Sequence, residues 1–125
     1  MPPIDEWITF IHTAVFDSEW TELGLSDEDL ARLQQALVDS PEAGVVIRGT
    51  GGLRKLRFAP PYTGKSGGYR ICYSYFPERE TVLLVFVYGK RTTSTLEPAE
   101  KKAIARLLKE FQQEISRGKE HDDSH

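Results

Sequence analysis

Apolar positions return along this chain with two different periods. From Ser26 to Ser40 they recur every three or four residues, at Leu30, Leu33, Leu37 and Ala36 or Val38, which predicts one helix face. Ser26 is its N-cap, Asp29 stands near the capping-box position, and Ser40-Pro41 stops it. A second stripe, Ala103, Ile104, Leu107, Leu108, Phe111 and Ile115, follows Pro98 and predicts a last helix that Gly118 ends. Between the two the period falls to two. In Leu53 to Phe58 it places Leu53, Lys55 and Arg57 on one face and Arg54, Leu56 and Phe58 on the other. Leu56 and Phe58 are expected in the core, leaving Lys55 and Arg57 on the outer face. Tyr69 to Phe76 is aromatic and β-prone, and Thr81 to Tyr88 is almost continuously apolar, as in a strand covered on both faces. Val45 to Arg48 reads as a short strand and Pro60 to Gly68 as a hairpin loop. Trp7 to Phe16, rich in β-branched residues, reads as the first strand. Asp17 or Ser18 would then cap a short helix reaching Leu23, with Gly24 ending it.

At 125 residues the chain is expected to form one domain over 1–118, with a disordered tail over 119–125. No apolar run approaches the ~20 residues of a membrane span. The N-terminus lacks the basic flank and apolar core of a signal peptide. Cys72 is the sole cysteine, which rules out an intramolecular disulfide and a cysteine-rich metal site. A reducing, cytoplasmic setting is therefore expected, without a membrane partner.

Charge changes the picture more than composition does. Residues 1–44 carry ten acids and one base, whereas residues 45–95 carry nine bases and two acids. Segment charges of -9 and +7 lie beneath a net charge of only -3. Such a field can hold a polyanion, or the acidic helices can simply neutralise the basic sheet. The basic half centres on Gly49 to Arg70, where Arg54, Lys55, Arg57, Lys65 and Arg70 stand between glycine clusters.

Several chemistries compete for these residues. Ala59 to Ser66 matches a relaxed phosphate-binding loop, but such a loop must open a helix. Here Gly67-Gly68-Tyr69 leads into an aromatic strand, so a nucleotide-hydrolysing site is excluded. His12, His121 and His125 would bind a metal only if His12 met the tail, and no metal or cofactor is expected. The cations fit better. Lys55 and Arg57 share a strand face, Arg70 opens the next strand, and Lys90 and Arg91 follow a third. On adjacent antiparallel strands they would converge, and arginine forks match phosphate. Tyr62, Tyr69, Tyr73 and Tyr88 offer stacking surface for single-stranded RNA, with at least two of the four expected in the core. A solvated face with long stems over apolar surface is the plainer alternative.

G-T-G-G-L-R-K-L-R from Gly49, G-K-S-G-G-Y-R-I-C-Y from Gly64 and L-L-V-F-V-Y-G-K-R from Leu83 resemble the RelE/ParE toxin superfamily, in its HigB-like branch. The likeness runs from Phe16 to Ile115. It implies an α+β fold, a small curved, mainly antiparallel sheet flanked by helices, in keeping with the pattern above. It also implies a ribosome-dependent mRNA endoribonuclease that inhibits translation and is neutralised by a cognate antitoxin protein. In such an enzyme the ribose 2′-hydroxyl attacks the adjacent phosphate and leaves a 2′,3′-cyclic phosphate. By motif position the catalytic set is Lys55, Arg57, Arg70 and Arg91. Lys55 is expected to be the base, with Arg54, Arg57 and Arg70 nearby to lower its pKa, and Arg70 and Arg91 are expected to hold the transition-state charge. Lys65 and Lys90 grip RNA or ribosomal phosphates, and Arg54 and Tyr73 join the RNA-binding set. Thr92 to Glu97 lacks the tyrosine that RelE carries after its arginine, so the leaving-group acid is left open. ParE-like relatives, which bind DNA gyrase and cut nothing, and inactive relatives that only bind a partner, are the alternatives.

Overall fold

The computed structural model describes residues 8–61, 68–89 and 95–123, with side chains through Arg117. It holds strands β1 (Thr9–His12), β2 (Val45–Val46), β3 (Arg54–Phe58), β4 (Tyr69–Phe76) and β5 (Thr81–Gly89). Its helices are α1 (Ala14–Glu22), α2 (Asp27–Asp39) and α3 (Pro98–Asp123). The strands form one sheet in the order β1-β5-β4-β3-β2. β2, β3, β4 and β5 run antiparallel to their neighbours, and only β1 lies parallel to β5. The result is the α+β, mainly antiparallel architecture that the resemblance implies and the pattern agrees with. No described helix is long and apolar enough to cross a membrane.

Both faces of the sheet are covered. α1 and α2 close one side over Phe16, Trp20, Leu33, Leu37, Phe58, Ile71, Tyr73, Val82, Leu84 and Val87. α3 closes the other over Leu53, Cys72, Phe76, Leu83 and Val85, bringing Leu108 and the flanking Ile104, Phe111 and Ile115. β5 serves both layers, as its apolar run requires. A register shift opposite Cys72/Tyr73 turns Val85 and Phe86 both toward α3 and returns Val87 to the other layer.

Local chemistry sets the helix ends. In α2 the Ser26 hydroxyl accepts from the Asp29 N–H at 3.1 Å and the Asp29 carboxylate accepts from the Ser26 N–H at 2.9 Å, the reciprocal capping box. α1 departs from expectation. The first strand stops at His12, and the helix is capped by Thr13 rather than Asp17 or Ser18. The Thr13 hydroxyl accepts from the Phe16 N–H at 3.0 Å and donates to the Val85 carbonyl at 2.5 Å. One threonine thus starts a helix and ties it to β5 where β1 ends. Further along, the Glu19 carboxylate accepts from the Val87 N–H at 3.0 Å and continues that edge. Gly24, at φ +75°, ends α1 as expected, with Leu25 N–H donating to the Trp20 carbonyl and Gly24 N–H to that of Thr21. Thr13→Ala should cost about 1–2 kcal/mol, read as a lowered denaturant midpoint, with Thr13→Ser close to the parent.

Two further boundaries move. β2 is only Val45–Val46; Ile47 N–H still donates to the Leu53 carbonyl at 2.8 Å in the same register before the chain turns. Buried Thr50 holds that turn, donating to Ile47 and accepting from Leu53. α3 continues through Gly118 to Asp123 instead of ending at the glycine. One helical glycine costs only about 1 kcal/mol, too little to stop a helix by itself.

Candidate functional site

Three of the four basic positions of β3 and β4, Lys55, Arg57 and Arg70, come together on the α3 side of the sheet. Register places Arg57 opposite Arg70 and Arg70 opposite Tyr88, in one row across β3, β4 and β5. The next row is Lys55, Cys72 and Phe86. Lys55 and Arg57 are exposed, whereas Arg70 and Tyr88 are half-buried. This is the face on which Leu53 is wholly buried beneath α3, so the expected outer face is a wet margin of a covered layer. A groove of about 220 Å³ opens there between the sheet and the start of α3. It is lined by Ile47, Lys55, Cys72, Phe86, Tyr88, Thr95, Leu96 and Lys101.

Directly opposed like charges destabilise a strand pair. The Arg57–Arg70 pair accepts that cost, and the side chains do not splay apart. A Cβ placed on Gly68 would stand 3.3 Å from Arg57 Nε and 3.9 Å from Arg70 Nη1, so both guanidiniums flank this one glycine. Arg70 Nη1 is buried without a hydrogen-bond partner among the described residues. A donor held dry next to a second cation is suited to a bound anion, and phosphate matches the fork.

Arg54 and Tyr73, expected to bind RNA, do not belong to this face. They oppose one another in the register and point to the α1–α2 side, where they clamp the turn before β2. Arg54 Nη1 donates to the carbonyls of Glu42 (3.1 Å) and Gly44 (2.8 Å), and its Nη2 meets the Glu42 carboxylate at 3.2 Å. The Tyr73 hydroxyl donates to the Pro41 carbonyl at 2.8 Å and accepts from the Gly44 N–H at 2.9 Å. With no exposed surface, the Tyr73 ring has no face on which a base can stack. A Cβ on Gly44 would lie 2.8 Å from Tyr73 Cε1, which is why glycine stands there. Arg54 is thereby removed from the neighbours expected to act on Lys55. Lys65, Tyr62, Lys90 and Arg91 lie outside the described residues.

Tyr88, which the sequence offers only as stacking surface, has no part in the catalytic set read from the motifs. It completes the Arg57–Arg70 row, and its phenol is held protonated to higher pH than usual by burial first, then by the neighbouring Cys72, against the pull of Arg70. Its place beside Arg70 follows from the β4–β5 register, which is a tertiary fact. His12, at the end of β1, bonds Asp17 through Nδ1 at 2.9 Å and packs edge-on to Phe16. No group of three metal-ligating side chains occurs among the described residues.

Cys72 forms the floor of the groove. Burial pushes its thiol up to about 12, the nearby Lys55 opposing and Glu19 adding to the rise. Since the folded chain holds this proton more tightly, its contribution to stability is complete below about 9 and lost as pH climbs toward 12. Cys72→Ala should flatten that alkaline decline, by up to about 1.4 kcal/mol per pH unit, in urea titrations across this window.

A mostly antiparallel five-stranded sheet, with two helices on one face and a C-terminal helix on the other, is the RelE-like fold. Among solved structures the chain is similar to a double arginine-to-alanine variant of the E. coli toxin RelE in the free state. That match has 23% identity and a TM-score of 0.50, over 81% of this chain and 96% of the other. It is also similar to the isolated E. coli RelE toxin in its P21 form, at 20% identity and TM-score 0.47, over 80% and 98% of the two chains. No family model matches the sequence.

Proposed function

We propose that this chain is the toxin of a type II toxin–antitoxin pair, of the HigB-like branch, and that it cuts mRNA on the ribosome. The observation that carries the proposal is the Arg57–Arg70 pair, two guanidiniums brought to one glycine with a buried donor of Arg70 left unfilled among the described residues. Lys55 lies one row along the same face, at the edge of a groove with an aromatic wall. The likeness to RelE in fold supports the same reading.

In the reaction, the 2′-oxygen forms a bond to phosphorus as the bond to the 5′-oxygen breaks. Lys55, as the neutral amine, takes the 2′-hydroxyl proton. Arg57 and Arg70, with Arg91, hold the charge that develops on the phosphorane, in a site partly shielded from water by α3. Tyr88, a phenol kept protonated beside Arg70, returns a proton to the leaving 5′-oxygen. Phe86 and Tyr88 offer the flat surface for a base.

The test is to add the purified chain to translating ribosomes and map mRNA ends. New ends carrying 2′,3′-cyclic phosphate are expected. Intact mRNA together with inhibited gyrase supercoiling would replace this reading with a gyrase-binding one.

A further inference from the structure

α3 sorts its charges by side. At about 100° per residue Lys102, Arg106 and Lys109 fall within an arc of about 60°, while Glu100, Glu110 and Glu114 take an adjoining arc of about 80°. The packed stripe of Ile104, Leu108, Phe111 and Ile115 lies opposite. A helix steadied by its own surface charges would set acid and base four residues apart. Here Lys102 and Arg106 form a like pair at that spacing, as do Glu110 and Glu114, and acid meets base where the two arcs adjoin, Arg106 with Glu110 at that spacing and Arg117 with Glu114 in an ion pair at 3.4 Å. Lys102, Arg106 and Lys109 are exposed and make no ion pair among the described residues.

Packing at neighbouring positions fixes where the basic side faces. Lys101 Cδ lies 3.4 Å from the position of a Cβ on Gly49, and Ala105 Cβ lies 3.3 Å from that of Gly51. The basic edge therefore adjoins the 47–53 loop, which carries exposed Arg48. It continues from Lys101, at the groove, along about 10 Å of helix axis. Exposed Leu107 sits on the acidic side, so the basic edge has no apolar anchor of the kind a protein partner fills.

We infer that Lys102, Arg106 and Lys109 form a phosphate-tracking edge for double-helical RNA. This rests on the mRNA-cutting reading of the adjoining face: the groove takes a single strand while the edge holds structured RNA beside it. Double-stranded RNA is recognised largely through its shape and phosphates, which suits a row of cations with no stacking residues.

The experiment compares the parent chain with Lys102→Gln/Arg106→Gln/Lys109→Gln in binding to a 20-base-pair RNA duplex over a range of salt. Affinity at low salt should fall about tenfold or more, and the slope of log K against log salt should lessen by roughly two to three. A Lys102→Arg/Lys109→Arg variant should bind as the parent does, and an unchanged thermal midpoint shows that the triple variant is folded. Equal affinity and slope in parent and triple variant would overturn the inference. So would a triple variant that keeps duplex binding but loses an acidic peptide, since the edge would then be a protein contact. Because the readout is duplex binding, a parent chain that binds through this edge yet leaves mRNA whole defeats the nuclease reading alone. One that cuts mRNA while the triple variant binds duplex equally well defeats the edge alone.

Discussion

Replacing Arg70 by glutamine is expected to lower the rate of mRNA cleavage by about 10²–10³-fold without lowering the thermal midpoint. The activity loss follows because Arg70 brings a second guanidinium to the same glycine as Arg57, with one buried nitrogen unfilled among the described residues. The unchanged or raised midpoint follows from relief of a like-charge pair and of a buried unpartnered donor. Arg70→Lys should recover only part of the rate, because an ammonium keeps the charge without the fork. Single-turnover cleavage on ribosomes and a thermal melt decide the matter. Full activity in Arg70→Gln would remove Arg70 from the catalytic set, and a collapsed midpoint would recast it as a structural arginine.

Tyr73→Phe should give the reverse pattern. The ring stays in the core, but the Gly44 N–H and the Pro41 carbonyl lose the hydroxyl they share. Leaving buried groups unpaired costs about 1–3 kcal/mol. Tyr73→Ala removes the ring as well and should cost about 3–5 kcal/mol. Cleavage per folded molecule should be unchanged in Tyr73→Phe. A denaturant titration beside a cleavage assay checks both, and lost activity at full stability would return Tyr73 to the RNA-binding set.

The same two residues show what a sequence can and cannot disclose. Alternation in β3 separated Arg54 from Lys55 and Arg57 correctly, since a pleat is local. Which face carried the site was harder, because helices cover both, and a strand does not announce which helix lies on it. Leu53 shares the face of Lys55 and is wholly buried, while Arg54 shares the face of Phe58 and reaches a turn. α2 was readable from end to end because its cap, stripe and stop all lie within fifteen residues. α1 was not. Thr13 is equally a strand residue and a cap, and the choice is made by Val85, 72 residues away. Tyr88 could be read as a strand aromatic, but its place in the arginine row required the register of β5 on β4.

The pairing of β1 with β5 bears on synthesis as well as on shape. Thr9 to His12 find their partners at Thr81 to Leu84, a separation of 72 residues. At about 5–20 residues per second, the first strand is made some 4–14 seconds before anything exists for it to join. Phe16 and Trp20 leave the ribosome well before the β5 residues that cover them. The β3–β4 hairpin bearing the cations closes over a far shorter stretch of chain. The nascent chain therefore presents its basic hairpin before its sheet is complete, and the amino-terminal strand has no partner until β5 has been made.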